Sequence, residues 1–257
     1  MKRNIVFFDI DGTILNEKKE IPASAKQAIK ELKQNGANVA IATGRAPFMF
    51  ENIRKELGIE SYVSYNGQYV VFEGNVIYNN PLGQEKLTEL YQRSTEEEIP
   101  MIFMTEDHMW ASRADHPYIA ESLASLQYDY PIVDPELKHD KKIYQALLFC
   151  EKDQEDSIAA HHDSFRFVRW HDYSCDVLPG GGSKAVGIGK LIEASGLDIT
   201  HSFAFGDGLN DIEMIREVGT GIAMGNAVPD LKAIADYVTS DVQDDGIYKG
   251  LKHFGLI

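Results

Sequence analysis

Two short apolar runs each end in a pair of aspartates. Asn4–Phe8 leads into Asp9-Ile10-Asp11-Gly12-Thr13, and Ser202–Phe205 leads into Gly206-Asp207-Gly208-Leu209-Asn210-Asp211. One acidic turn alone is commonly nothing more than solvated surface. Two of them behind two buried strands gather carboxylates at one sheet edge, where they repel one another and need a cation to stay ionised. Hard oxygen ligands of this kind suit Mg²⁺. Lys184 is the positive counterpart. It opens a helix, whose N-terminal dipole disfavours a cation, so a nearby anion is its natural compensation, and Ser183 is placed to cap the same helix.

The elements that must position these groups are legible as an alternation. Asn4–Phe8 reads as a buried strand. Pro22 to Asn35 reads as a helix, with Ala25, Ala28, Ile29 and Leu32 at helical spacing and Gly36 as its stop signal. Asn38–Ala42 is a second buried strand, followed by Thr43-Gly44-Arg45 and a helix to about Leu57. Tyr62–Ser64 continues the pattern, and Tyr69–Phe72 with Val76–Tyr78 flank Glu73-Gly74-Asn75 as a hairpin. The alternation resumes with a helix over Lys184–Ala194, the strand Ser202–Phe205, a helix to about Val218, the strand Gly221–Met224, a helix around Asp230–Ile234 and a last strand at Tyr237–Thr239. Short strands alternating with helices predict an α/β fold, a Rossmann-like parallel sheet covered on both faces. In such a sheet ligands bind beyond the carboxyl ends of the strands. Four loops there stand out: those with Asp9 and Asp11, with Thr43 and Gly44, with Asn66 and Gly67, and with Asp207, Asn210 and Asp211.

Between Pro81 and Pro179 the texture changes, becoming richer in aromatics and histidine. A helix (Glu85–Glu97) mixes with strand-like runs at Met101–Thr105, Met109–Ser112 and Tyr144–Cys150. This predicts an inserted α+β module over residues 82–178 within a discontinuous core of residues 1–81 and 179–257, with Pro179-Gly180-Gly181-Gly182 as the re-entry hinge.

Composition narrows the partners. The 257 residues are 44% hydrophobic and 25% charged, enough for ordinary buried cores, and forty acidic against twenty-five basic residues give a net charge of −15. Such a field repels nucleic-acid phosphates and anionic membranes, so neither is an expected partner. It disfavours a phosphorylated substrate too, so a phosphate site needs local positive charge from a metal or a placed lysine. The apolar run of MKRNIVFFDIDGT stops at Asp9, too short for a signal-peptide core, and no run approaches membrane-spanning length. Two cysteines, Cys150 and Cys175, lack zinc-type or redox-type spacing and read as partly buried thiols in a reducing cytoplasm.

The order and spacing of these pieces resemble the haloacid dehalogenase superfamily, more closely its Cof-type phosphatases. Asp9-Ile10-Asp11-Gly12-Thr13 matches the first motif, Ala42-Thr43-Gly44-Arg45 the second, Ser183-Lys184 the third and Gly206-Asp207-Gly208-Leu209-Asn210-Asp211 the fourth. Asn66-Gly67, Ala223-Met224-Gly225-Asn226-Ala227 and Asp245-Gly246 are typical of the branch; Ala185, where many relatives carry Gly, departs from it. The resemblance implies a Mg²⁺-dependent phosphatase for a small phosphorylated metabolite, acting through an aspartyl phosphate. By it Asp9 is the nucleophile and Asp11 the general acid and then base. Mg²⁺ is held by the Asp9 carboxylate, the Asp11 backbone carbonyl and Asp207, with Asp211 in support. Thr43, Gly44, Lys184 and Asn210 take the phosphoryl oxygens. With Asp11 protonated, Mg²⁺ and Lys184 balance the remaining three carboxylates.

The same resemblance makes the insertion a C2-type cap that excludes water and reads the substrate beyond its phosphate. His108, Trp110, Arg113, His116, Arg169 and His171 are its polar or aromatic candidates, each also open to ordinary packing or surface use, and His161 and His162 read as solvated. Sugar phosphates, nucleotides and cofactor phosphates all remain open as substrates, as does the oligomeric state. Phosphotransferring mutases are rivals, but those with a helical cap between the first two motifs need room that Ile14–Ala42 lacks. A catalytically silent binding or regulatory module of the same fold is the alternative from outside enzymology.

Overall fold

The strand β1 (Ile5–Phe8) is buried along its whole length, which is what an unbroken apolar run demands of its surroundings: cover on both faces. A computed structural model describes residues 3–136 and 140–257. In chain order α1 (Ala23–Gln34), β2 (Asn38–Ala42), α2 (Glu51–Leu57), β3 (Ser61–Ser64), β4 (Tyr69–Phe72) and β5 (Asn75–Asn79) follow β1. The sheet has the order β14-β13-β12-β1-β2-β3-β4-β5. Its later members are β12 (Ser202–Gly206), β13 (Thr220–Ala223) and β14 (Tyr237–Val238), interleaved with α6 (Lys184–Ser195), α7 (Ile212–Glu217), α8 (Pro229–Lys232) and α9 (Gly246–His253). Strands from β14 to β3 pair in parallel, and β4 and β5 are antiparallel additions.

Alternation along β1 splits its side chains between two layers. Ile5 and Phe7 join a core with Ala40, Val63, Ala204, Ile188 and Leu191 of α6, and Met214 and Ile215 of α7. On the other face, Phe8 stacks on Phe205 at 5.0 Å between centroids. Each large side chain so buried contributes about 1.5–3 kcal/mol. Helix α1 buries Ala25, Ala28, Ile29 and Leu32, the stripe its spacing predicts. The β4–β5 turn is tighter than the sequence reading. Phe72 pairs with Asn75, leaving Glu73 (φ 47°) and Gly74 (φ 78°) as a two-residue loop whose positive dihedrals match the strand twist.

The chain divides into two compact units: the residues up to Arg45 with Met49–Asn79 and Ser183–Ile257, and Asn80–Gly182 together with Ala46–Phe48. The second unit holds α3 (Gln84–Glu96), β6 (Met101–Met104), β7 (Met109–Ala111), α4 (Pro117–Ser125), β8 (Ile132–Val133), β9 (Gln145–Leu148), α5 (Lys152–Ala159), β10 (Phe165–His171) and β11 (Ser174–Pro179). Its sheet runs β10-β11-β9-β6-β7-β8. One face carries Met101, Phe103, Ala146, Leu148, Cys175 and Val177 into a core with Leu87 and Leu90 of α3 and Ile158 of α5. Cys150 and Cys175 are free and fully buried, deeper than their sequence reading.

Candidate active site

Parallel pairing of β1 with β2 and β12 brings the loops after these strands to one edge of the sheet. Asp9 extends β1 by one residue, its amide donating to the Phe205 carbonyl at 3.0 Å, and its side chain is buried. Ser183 caps α6 by accepting from the Val186 amide, and the next residue, Lys184, is buried in the first turn. Its Nζ donates to Asp9 Oδ1 at 2.5 Å and to Asp211 Oδ1 at 2.7 Å. The anion that the sequence demanded beside this lysine is therefore two carboxylates.

Asp211 is committed on its other oxygen as well. Its Oδ2 accepts from the amides of Asp207 and Gly208, each at 2.9 Å, which folds the fourth-motif loop around it. Asp207 accepts from Thr13 Oγ1 at 3.3 Å and from Asn226 Nδ2 at 3.4 Å. Gly12 (φ 76°) has no alternative in this packing, because a Cβ there would overlap the Asp207 carboxylate.

One carboxylate oxygen from each of Asp9, Asp207 and Asp211 lies within 4.8 Å of the others. Burial pushes the Asp9 carboxyl up to about 8; Lys184 opposes this, and the charges of Asp211 and Asp207 reinforce it. Burial and Asp211 push Asp207 up to about 6. Burial alone would lower Lys184, but Asp211 and Asp9 outweigh it and hold the ammonium above the ordinary lysine range. One lysine does not neutralise this cluster, and a hard divalent cation fits both its donor atoms and its charge deficit.

Asp11 faces elsewhere. Arg45 Nε donates to its Oδ2 at 2.8 Å and Arg45 Nη2 to its Oδ1 at 2.6 Å, and Lys19 Nζ reaches Oδ1 at 2.7 Å. Burial pulls its pKa upward, but the hydrogen bonds and charges of Arg45 and Lys19 prevail and hold the carboxyl below its usual range. Asp11 is thus ionised here, where the sequence reading took it as protonated. The reason is Arg45, which that reading quoted in a motif without a role, and Lys19, which it passed over.

Thr43 is buried, and its Oγ1 accepts from the Arg45 amide at 3.1 Å. Asn210 Nδ2 meets Asn66 Oδ1 at 3.4 Å, and Asn66 Nδ2 lies 3.0 Å from where a side chain on Gly44 would begin. Asp9, Thr43, Gly44, Lys184, Asn210, Asp207 and Asp211 thus gather at the strand ends of one unit. Asn226 was noticed only as part of a branch-typical run. Its Nδ2 donates to the Gly12 carbonyl at 2.8 Å while its Oδ1 accepts from Val242, tying the first and fourth motif loops to the C-terminal segment.

The family model of haloacid dehalogenase-like hydrolases matches residues 6–251. The chain belongs to that family. It is 51% identical over 257 residues, all of both chains, to the Bacillus subtilis (strain 168) protein named "Putative phosphatase YkrA". Among solved structures, it superposes on a hypothetical protein from Geobacillus kaustophilus HTA426 with a TM-score of 0.96 at 56% identity, covering 99% of this chain and 100% of that one. It also matches the haloacid dehalogenase subclass IIB sugar phosphatase BT4131 with a TM-score of 0.85 at 31% identity over 99% of this chain and 100% of that one. The Cof-type resemblance and the α/β fold class read from the sequence both hold for this haloacid dehalogenase-like hydrolase, and phosphatase is the class that YkrA and BT4131 carry in their names.

Several candidates of the second unit are engaged within that unit. Trp110 is buried in its core. Arg169 binds Glu155 and the carbonyls of Cys150, His171 and Asp172. Arg113 donates to the Glu98 carbonyl, and His171 Nδ1 lies 3.1 Å from Ser122 Oγ. Burial, and then Arg113, lower the His116 pKa. His108 is half-buried, with its Nδ1 2.6 Å from Asp107 Oδ1. The reading of His162 as solvated is corrected: it is buried, with its ring over Phe165, while His161 is exposed and bonded at Nδ1 to the Ser157 carbonyl. Among the described residues, no helix is long and apolar enough to cross a membrane.

Proposed function

We propose that this phosphatase hydrolyses the phosphate monoester of a small metabolite through a phosphorylated Asp9. The observation that carries the reading is the buried Asp9 carboxylate held on Lys184 beside Asp211 and Asp207. Such a carboxylate is fixed in place and flanked by the cation that an incoming phosphoryl group requires.

Asp9, the Asp11 carbonyl and Asp207 are the residues to hold Mg²⁺, which when bound supplies the positive charge that lets a dianionic ester approach and screens the transferring phosphoryl oxygens. Asp9 attacks phosphorus in line, forming an acyl phosphate as the ester oxygen departs. Thr43, the Gly44 amide, Lys184 and Asn210 take the phosphoryl oxygens. Asp11 gives a proton to the departing alkoxide and later takes one from the water that cleaves the acyl phosphate. To act as the acid it must first be protonated, against the pull of Arg45 and Lys19. The substrate portion beyond the phosphate falls to residues 82–178, whose chemistry differs from that of the motif-bearing loops; a sugar phosphate is the first class to test, given the name of BT4131. Two buried free thiols fit a reducing cytoplasm.

The decisive experiment is hydrolysis of p-nitrophenyl phosphate by the purified protein, with Mg²⁺, with Ca²⁺ and with chelator, followed by a panel of phosphorylated metabolites ranked by kcat/KM. Turnover should require Mg²⁺, be poorly supported by Ca²⁺, whose coordination is larger and less strict, and vanish in Asp9→Asn. Full activity in chelator sinks the metal assignment, and an Asp9→Asn variant within tenfold of the parent reassigns the nucleophile.

A further inference from the structure

The backbone enters the left-handed region at three consecutive residues, Tyr65 (φ 52°), Asn66 (φ 50°) and Gly67 (φ 101°). Glycine adopts such dihedrals freely; a buried tyrosine does not, and the strain persists only where the surroundings over-determine it. Those surroundings are three of the motif loops. The Asn66 amide donates to the Thr43 carbonyl at 3.1 Å and the Tyr65 amide to the Arg45 carbonyl at 3.3 Å, which clasps the second motif from both sides of Gly44. Gly67 lies against the entry to α6. A Cβ there would overlap the Ser183 carbonyl oxygen, and a Cβ on Gly187 would come within 2.8 Å of the Gly67 Cα and 2.5 Å of Val63 Cγ1. Lys184 sits between those two contacts on α6. The Asn66 carboxamide finally accepts from Asn210 of the fourth motif and fills the space beside Gly44.

We propose that Asn66-Gly67 is a positioning turn which sets Gly44, Lys184 and Asn210 in one register around the phosphoryl group, with Asn66 orienting the Asn210 carboxamide. This rests on reading the site as that of a phosphatase. The turn follows β3, outside the four motifs, and its residues touch the substrate-binding groups rather than the Asp9, Asp207 and Asp211 carboxylates. The effect of the Asn66 carboxamide therefore falls on phosphate recognition and not on Mg²⁺.

Asn66→Gly tests this cleanly, because glycine keeps the left-handed backbone and removes only the carboxamide. Two quantities should rise about tenfold: KM for p-nitrophenyl phosphate, and the Kd for inorganic phosphate measured by calorimetry in Mg²⁺. The Mg²⁺ activation midpoint should stay fixed and Tm should not fall. On an Asn210→Ala background the same change should add little, since both remove one coupled contact. Gly187→Ala probes the other contact. Alanine is the better helix former, yet its Cβ wedges α6 from Gly67 and draws Lys184 from Asp9, so kcat should drop at least tenfold with helical circular dichroism retained. Unchanged phosphate affinity in Asn66→Gly, losses in the two asparagine variants that multiply, or full activity in Gly187→Ala overturns the proposal. A parent protein that binds phosphate but hydrolyses no ester sinks the phosphatase reading instead, and the calorimetric response to Asn66→Gly still decides the role of the turn.

Discussion

Arg45 grips both carboxylate oxygens of Asp11, Nε to Oδ2 at 2.8 Å and Nη2 to Oδ1 at 2.6 Å. A bidentate guanidinium pair is among the stronger charge-assisted contacts, and it holds the proposed general acid in its ionised form. Because the folded pKa of Asp11 lies below the ordinary aspartate value of 3.8, the pair stabilises the fold above that pH and ceases to do so as pH falls through the folded value.

Arg45→Ala should let the Asp11 pKa rise. A larger fraction of Asp11 is then protonated at a given pH, so the alkaline limb of kcat/KM for a sugar phosphate should move to higher pH. A pH–rate profile of parent and variant checks this. A limb that stays in place reports some other group.

Lys184 is fully buried between two carboxylates, and its raised pKa means that its stabilising charge is present throughout the neutral range and is lost only above about pH 10. Lys184→Met should cost about 3–5 kcal/mol in chelator, since it leaves the buried Asp9 and Asp211 carboxylates without their cation. The loss should be smaller at pH 5 than at pH 8, because the stranded carboxyls can protonate. Denaturant titrations at the two pH values measure it, and a cost below about 1 kcal/mol at pH 8 shows that the pair is not what holds this edge together.

The parallel core was legible because its strands are buried on both faces and its functional loops follow them directly: Asn4–Phe8 and Asn38–Ala42 announce themselves as apolar runs, and Asp9, Thr43 and Asp207 come next in the chain. The second unit was less so. Its strand β10, Phe165–His171, mixes Arg166, Arg169 and His171 with aromatics and is only partly buried, so neither a period of two nor an apolar run stands out. Helix α5, with four acidic or basic residues in its eight, shows a weak apolar stripe. Arg45 and Asn226 escaped assignment for a different reason. Their partners, Asp11 and Gly12, lie 34 and 214 residues away in sequence, and no local pattern encodes such a pairing.

Asp176 on β11 illustrates the same blindness. It stands between Val168 on β10 and Leu147 on β9, and burial pushes its pKa up to about 7. Its folded pKa is above the ordinary aspartate value of 3.8, so the native state clings to the proton and stability falls as pH rises from about 4 to about 7. Asp176→Asn removes that penalty. The variant should match the parent near pH 4 and exceed it at pH 8 by about 1–3 kcal/mol, roughly 2–4 °C in Tm per kcal/mol. Equal Tm differences at both pH values would mean that the carboxyl is not protonated in the native protein.

Asp11→Asn separates the two tasks given to that residue. An alkoxide leaves badly unless protonated, so the variant should nearly stop phosphorylation of Asp9 by a sugar phosphate. A p-nitrophenolate group, with a conjugate-acid pKa of about 7, needs little such help. Phosphorylation by that ester should therefore survive better than the second step, in which no carboxylate remains to deprotonate the attacking water. Rapid mixing should show a burst of p-nitrophenol close to one equivalent of enzyme, then slow turnover as phosphorylated Asp9 accumulates. Asparagine also surrenders the charge that Arg45 and Lys19 grip, so Tm must be followed alongside, and a burst from a protein of near-parental Tm assigns the defect to proton transfer. Should the variant lose both esters equally and trap no phosphoenzyme, Asp11 serves to anchor Arg45 and the loop around it, and the acid–base role belongs elsewhere.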